Sequence, residues 1–255
     1  MDNEKAPLGS APWVLQTHGR LTPAERRSLV APLARTHLSN AVGRLRLALK
    51  LHPGRRVYVP QAALVAPETA LTRAAQKVAE EMLSPTLLHH SHRAYRFGRA
   101  VGELEELQVD AELLFAAAML HDTGLVDPPD GSDFTLSSIR LAREVAEQVG
   151  LSTAATEVMQ TAITMHYTPG VPKSAGAEAY LLAAGAAVDV VGIRSWDLPA
   201  QLLNDAVRDY PRVAFKKAFA EAFRAEAARV PQGRAKFLNR YGALPTAIKL
   251  APFDE

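Results

Sequence analysis

The pair His121-Asp122 is unusual because it follows a wholly apolar stretch of chain. Residues 113–120 read Leu-Leu-Phe-Ala-Ala-Ala-Met-Leu and contain no polar side chain. A buried imidazole beside a buried carboxylate is costly unless something offsets their desolvation. A metal ion would do this directly. The alternative is a helix end at which both side chains simply reach solvent.

Two further residues stand in comparable surroundings. Asp189 is the one acid in the apolar run 183–192, so it needs a buried partner, either a metal or a backbone amide or Arg194. His90 opens the cluster 90–93, and on a helix it shares one face with Arg93 and Phe97. The pattern places two imidazoles and two carboxylates on three helical segments, one of which carries both His121 and Asp122.

These four residues, His90, His121, Asp122 and Asp189, form a candidate metal site. Nitrogen and oxygen donors with positions left for water suit zinc best, with iron and manganese as alternatives, and suit calcium and copper less well. A divalent ion lowers the pKa of bound water from 15.7 towards about 7, which supports hydrolysis of a phosphate ester or amide or hydration of a nitrile.

Three residues are candidates for the catalytic work itself. Asp122 is placed to orient or deprotonate a water as well as to bind metal. His166 ends a predicted helix, where it is either a general acid or base or an ordinary helix-terminal histidine stabilised by the dipole. Arg93 shares a helix face with His90, and it either binds a charged substrate or pairs with a structural acid.

The composition excludes several other kinds of site. Among 255 residues there is no cysteine, so disulfides, thiolate metal sites, iron–sulfur clusters and a cysteine nucleophile are all ruled out. The net charge of +2 gives no reason to expect a specific nucleic-acid partner. The first 60 residues nevertheless hold ten Lys/Arg against three Asp/Glu. This basic quarter is either an anion-binding or membrane-surface arm or a solvated helix face.

Nothing in the sequence predicts a membrane span, since the longest apolar stretches, 113–120 and 179–188, are far shorter than the ~20 residues required. The chain opens with Asp2, Glu4 and Lys5 and shows no apolar signal region. We therefore expect a soluble, cytoplasmic protein that acts on a small molecule, and the sequence leaves homo-oligomerisation open.

The apolar periodicity predicts an all-α protein. Residues 1–20 are expected to form a flexible tail, 21–69 an N-terminal extension packed on the main domain, 70–242 a helical domain, and 243–255 a C-terminal tail. Residues 44–51 alternate like a strand but consist of helix-favouring types, so that segment is ambiguous. The expected helices from residue 84 onwards are 84–101, 111–124, 136–149, 153–166, 176–191, 199–209, 212–229 and 232–241.

With these residues in order, the chain resembles the HD-domain superfamily, the metal-dependent phosphohydrolases and their relatives. The match lies in His90, the core motif Leu-His-Asp-Thr-Gly at 120–124, and Asp189, and it covers roughly residues 75–240. Residues 89–98, His-His-Ser-His-Arg-Ala-Tyr-Arg-Phe-Gly, are most similar to the cyanamide hydratase-like branch. The resemblance implies a helical bundle that holds a metal between its helices.

The resemblance implies a hydrolase or hydratase that activates water against a small polar substrate such as a nitrile or cyanamide. A nucleotide or phosphate-ester phosphohydrolase is the alternative, although Leu125 replaces the lysine found after H-D-x-G in many phosphodiesterases. Di-iron oxygenases of the superfamily have two more histidines between the H-D pair and the last aspartate, where this chain has His166 alone. A regulatory protein that keeps the metal without catalysis is a further alternative.

Overall fold

The computed structural model describes residues 6–255. Within them the chain is all-α and carries no β-strand, as its apolar periodicity predicted. Its twelve α-helices are α1 Ala11–Thr17, α2 Pro23–Ala48, α3 Ala70–Met82, α4 Pro85–Leu104, α5 Ala111–Leu120, α6 Thr135–Gln148, α7 Thr153–Met165, α8 Ala177–Val191, α9 Ala200–Asp209, α10 Phe215–Arg229, α11 Arg234–Tyr241 and α12 Leu244–Lys249.

Side-chain caps fix where several of these helices begin. Thr22 and Glu25 form a reciprocal capping box at the start of α2. Asp110 accepts the backbone N–H groups of Glu112 and Leu113 at the start of α5. Ser152 likewise caps α7. Because α5 and α7 end at the residues of interest, these caps also set the register of the candidate site.

The centre of the molecule is built around α5, which is buried along its length from Leu113 to Leu120. Helices α4 and α8 cross beside it at short range because each has a glycine in the contact. A Cβ on Gly185 would lie 2.0 Å from the Ala94 carbonyl oxygen, and a Cβ on Gly98 would lie 2.7 Å from that of Leu181. This close approach brings the His90 helix against the Asp189 helix.

The N-terminal region departs from the expected flexible tail. Residues 1–5 lie outside the described part of the chain, but residues 11–17 form α1, with Trp13 and Val14 buried. The Trp13 indole N–H donates to Glu25 Oε1 at 3.0 Å. Burial of a large aromatic ring and a partner for its N–H therefore keep this segment on the fold.

The ambiguous segment 44–51 is mostly helical, since its first five residues belong to the 26-residue helix α2. At the other end, the expected tail 243–255 contains α12, and Ile248 and Phe253 are buried. No helix within the described residues has the length and apolar character needed to cross a membrane.

Candidate metal centre

Three of the predicted ligands meet in the core of the bundle. His90 comes from α4, while His121 and Asp122 follow α5, and all three side chains are fully buried. His121 Nε2 lies 3.2 Å from His90 Nε2 and 3.2 Å from Asp122 Oδ2, and the third side of the triangle is 3.6 Å. Donors at this spacing can all lie about 2.0–2.2 Å from one ion, the usual bond length for nitrogen and oxygen ligands of zinc.

Hydrogen bonds in the turn after α5 fix the orientation of the His121 ring. The His121 Nδ1–H donates to the Ala118 carbonyl oxygen at 2.7 Å, so Nε2 faces the site. Ser138 Oγ donates to the His121 carbonyl oxygen at 2.9 Å and accepts the Gly124 N–H at 2.9 Å. Residue 124 has to be glycine, because a Cβ there would lie 1.9 Å from the Phe134 carbonyl oxygen.

His166, expected as a catalytic residue, also reaches this cluster. Its Nδ1–H donates to the Ile163 carbonyl oxygen at 2.6 Å, and its Nε2 lies 3.6 Å from Asp122 Oδ1. Thus Asp122 turns one oxygen towards His90 and His121 and the other towards His166. The ring of Phe134, from the loop 127–135, packs against His166 with centroids 5.9 Å apart.

Asp122 shows most directly that these residues fit a cation. Neither of its oxygens receives a hydrogen bond from the described residues, although both are buried. An unpartnered buried carboxylate is strongly unfavourable. With their Nδ1 atoms donating elsewhere, His90 and His121 also turn two Nε2 lone pairs towards each other at 3.2 Å. A bound cation would satisfy all four atoms at once.

The protonation states agree with this interpretation. Burial lowers the pKa of His166 to about 3 and also lowers the pKa of His90, so both imidazoles are neutral near pH 7. Burial opposes the charge on Asp122, yet its interaction with His121 holds the pKa of Asp122 below the usual value. Burial likewise opposes a charge on His121, but the Asp122 carboxylate raises its pKa.

Asp189, the fourth predicted ligand, lies on the opposite side of His90. Its Oδ2 accepts from His90 Nδ1 at 2.7 Å, and Arg93 donates to both carboxylate oxygens, at 2.7 and 2.9 Å. Arg212 also forms an ion pair with Asp189 Oδ1. Arg194, the arginine named as an alternative partner, instead pairs with Glu105 at 2.7 Å.

Arg93, a candidate catalytic residue, is fully buried in that ion pair. Its remaining hydrogen bonds go to the carbonyl oxygens of Tyr210, at 2.7 Å, and Pro211, at 3.3 Å. It does not line the cavity beside the metal cluster. The structure therefore shows Arg93 in the ion-pair alternative, bound to Asp189.

A cavity of about 270 Å³ adjoins the cluster and is mostly apolar. His90 and His166 contribute to its wall, together with aliphatic residues of α8 and the rings of Phe219 and Phe223. Arg194 is the one lysine or arginine among the described lining residues, and Asp197 and Glu105 already neutralise it. The cavity therefore suits a substrate with an apolar body and little negative charge.

Two features of the site were not found from the sequence. Arg212 sits outside every motif, and only the fold brings it to Asp189. Helix α2 contributes Leu33, His37 and Asn40 to the cavity wall, although the N-terminal extension was expected merely to pack on the domain. Neither feature could be recognised from the local sequence, because both depend on how helices that are distant in the chain pack together.

The fold and site define a class: an all-α protein with a buried cluster of histidine and aspartate side chains between helices, suited to a divalent metal. In agreement with this, residues 87–191 match the family model of the HD domain. The matched region runs from α4 to the end of α8 and includes His90, His121, Asp122, His166 and Asp189. No curated protein matches the chain. The resemblance is thus confirmed for the HD domain, and the cyanamide hydratase-like branch stays a prediction.

Proposed function

We propose that this protein is a metal-dependent hydrolase or hydratase that acts on a small, weakly charged substrate in the apolar cavity. The observation that carries the proposal is Asp122, a fully buried carboxylate with no hydrogen-bond partner among the described residues, surrounded by three imidazole Nε2 atoms. His90, His121 and Asp122 would hold the ion. Zinc is favoured for this donor set, with iron or manganese as alternatives.

When a divalent ion is bound, the chemistry it supplies is acidification of water and polarisation of the substrate. The protein's own residues supply orientation and proton transfer. Asp122 Oδ1, on the side that faces His166, would accept a hydrogen bond from the attacking water. His166 Nε2 would take up the proton, since its Nδ1 is held by the Ile163 carbonyl and its Nε2 lies 3.6 Å from Asp122 Oδ1.

The cavity supports a neutral substrate such as a nitrile or cyanamide. Its wall is largely aliphatic and aromatic, which favours an apolar group on the substrate. Leu125 stands where many phosphodiesterases of the superfamily have a lysine, and Arg93 is already paired with Asp189. A polyanionic substrate would find no unpaired lysine or arginine on the described cavity wall.

A phosphohydrolase is the second candidate, and the HD-domain match at residues 87–191 favours it, because the superfamily includes many phosphate-ester hydrolases. The described cavity supports it less well, for the reasons of charge just given. A di-iron oxygenase has the weakest support, since among the described residues His166 is the one additional histidine beside Asp122.

Turnover by the metal-loaded protein tests this proposal. Zinc-, manganese- and iron(II)-loaded samples would be assayed on small nitriles, cyanamides, amides and phosphate monoesters, with oxygen uptake followed in parallel. We expect turnover of a neutral substrate. Exclusive turnover of phosphate esters would transfer support to the second candidate. Bound metal without turnover of any of these substrates would contradict the proposal and support a regulatory metal-binding protein.

A further inference from the structure

We propose that Asp189 is a positioning residue for His90 and that it does not itself bind the metal. This inference rests on the metal site proposed above and refines it. It differs from the expectation that Asp189 is the fourth ligand. The evidence is the orientation of the His90 ring and the pairing of both Asp189 oxygens.

The two nitrogens of an imidazole point away from the ring in widely different directions. His90 directs Nε2 at His121 and Asp122, and it directs Nδ1 at Asp189 Oδ2, 2.7 Å away. An ion bound by Nε2 therefore lies on the far side of the ring from Asp189. A carboxylate that accepts Nδ1–H from a ligating histidine is a recurrent arrangement, which fixes the ring and makes the ligand more basic.

Two buried arginines hold Asp189 in this position. Arg93 grips the carboxylate with two N–H groups, at 2.7 Å and 2.9 Å, and Arg212 donates to Oδ1 and, at 2.9 Å, to the Asp189 carbonyl oxygen. All three side chains are fully buried. If Asp189 turned towards the ion, it would leave two buried guanidinium groups without their counter-charge, which is strongly unfavourable.

The consequence for the site is a three-residue donor set, with two histidines and one carboxylate. Such a set leaves coordination positions for water and substrate, as in the His-His-carboxylate sites of catalytic zinc enzymes. The negative charge of Asp189 is already offset by Arg93 and Arg212. The ion would consequently keep more of its positive charge, and with it more capacity to acidify water.

The structure of the metal-loaded wild-type protein tests the proposal without any substitution. We expect the zinc ion beside His90, His121 and Asp122, with both Asp189 oxygens outside bonding distance and Oδ2 still hydrogen-bonded to His90 Nδ1. An Asp189 oxygen at about 2.0–2.2 Å from the ion would overturn the proposal. Failure of the wild-type protein to bind any metal would instead contradict the proposed function, so the two failures are distinguishable.

Metal affinity in variants gives a second test. In competition with a chelator, Asp189→Asn should keep a stoichiometry of one zinc per chain while its affinity falls about 10–100-fold. Asp122→Asn should lose stoichiometric binding, and Asp205→Asn, a control in an exposed ion pair on α9, should match the wild type. Loss of stoichiometric zinc in Asp189→Asn, in a sample that unfolds cooperatively, would overturn the proposal. If that variant does not fold, the wild-type structure decides.

Discussion

At the scale of single residues, the site depends on which nitrogen each histidine presents. His121 and His166 donate from Nδ1 to backbone carbonyl oxygens, and His90 donates from Nδ1 to Asp189. All three rings therefore present Nε2 to Asp122. Fixing the tautomers in this way prepares the donors before an ion arrives, so little reorganisation is needed on binding.

Binding of metal at His121 should be visible in thermal stability. A ligand that binds only the native state stabilises it by about 2.7 kcal/mol at 100 times its Kd. We expect zinc to raise the Tm of the wild-type protein and to leave the Tm of His121→Ala unchanged, as measured by thermal unfolding with and without the metal. An equal zinc-induced rise in both proteins would show that the ion binds elsewhere.

The role of His166 is tested by separating metal content from turnover. Glutamine at this position keeps a hydrogen-bonding side chain but cannot serve as a base. His166→Gln should retain its zinc while kcat falls about 10²–10⁴-fold, the usual contribution of a general acid or base. If metal content and kcat both stay at the wild-type level, His166 is an ordinary helix-terminal residue.

The sequence predicted the members of this site better than their roles. His121 and Asp122 could be named because polar residues after a wholly apolar stretch need a partner, whereas His90 was named only in combination with them and His166 only because it ends a predicted helix. The side of His90 on which Asp189 lies could not be predicted, because it depends on a ring rotation. Nor could its pairing with Arg212, which is 23 residues away in a different segment of the chain.

At the scale of helices, the contact between α4 and α8 sets the distance from His90 to Asp189. The contact relies on Gly185, where an added Cβ would meet the Ala94 carbonyl oxygen at 2.0 Å. Backbone cannot move aside as a side-chain end can. The separation of the two helices is therefore coupled to the geometry of the site.

Substitution of Gly185 tests that coupling. Gly185→Ala should lower the free energy of unfolding by about 1–3 kcal/mol through overpacking and should weaken zinc binding as well. Gly102→Ala is the matched control on the same interface, since its Cβ would meet only the flexible end of Leu181, at 2.9 Å. Chemical denaturation and zinc titration measure the two effects, and equal losses in both variants would contradict this account.

Helix positions between residues 84 and 241 were predictable because caps and apolar periodicity agree there. Helix α1 was not, because the segment before residue 20 has little periodicity and two prolines. It is ordered by tertiary contacts: the burial of Trp13 and its hydrogen bond to Glu25. The segment 44–51 was ambiguous because its strand-like alternation conflicts with its helix-favouring residue types, and in the structure helix α2 continues through most of it.

At the scale of the whole molecule, a second buried ion pair joins distant parts of the chain. Asp133 Oδ2 accepts from Arg234 at 2.9 Å and from the Tyr167 hydroxyl, and Arg234 also bonds Thr168 Oγ1 at 2.7 Å. These contacts tie the loop before α6 to α11 and to the segment after α7. They therefore fix the position of Tyr167, the residue that follows His166 in the chain.

This ion pair should give the protein a specific response to acid. Burial opposes the charge on Asp133, but attraction to Arg234 holds the pKa of Asp133 below its ordinary value. The stabilisation is therefore fully present above the ordinary aspartate pKa of about 3.9, and it is lost as the pH falls through the lower native value. The stability gap between wild type and Asp133→Asn, measured by denaturation across that range, should shrink on acidification. A gap independent of pH would contradict the assignment.

The central claim is that His90, His121 and Asp122 bind one divalent ion beside the apolar cavity. The most direct measurement is metal content by elemental analysis, after reconstitution and removal of free ion, in the wild-type protein and in Asp122→Asn. We predict about one ion per chain in the wild type, as expected of a single buried site, and a substoichiometric amount in the variant. Equal metal content in the two proteins, or none in the wild type, would contradict the account.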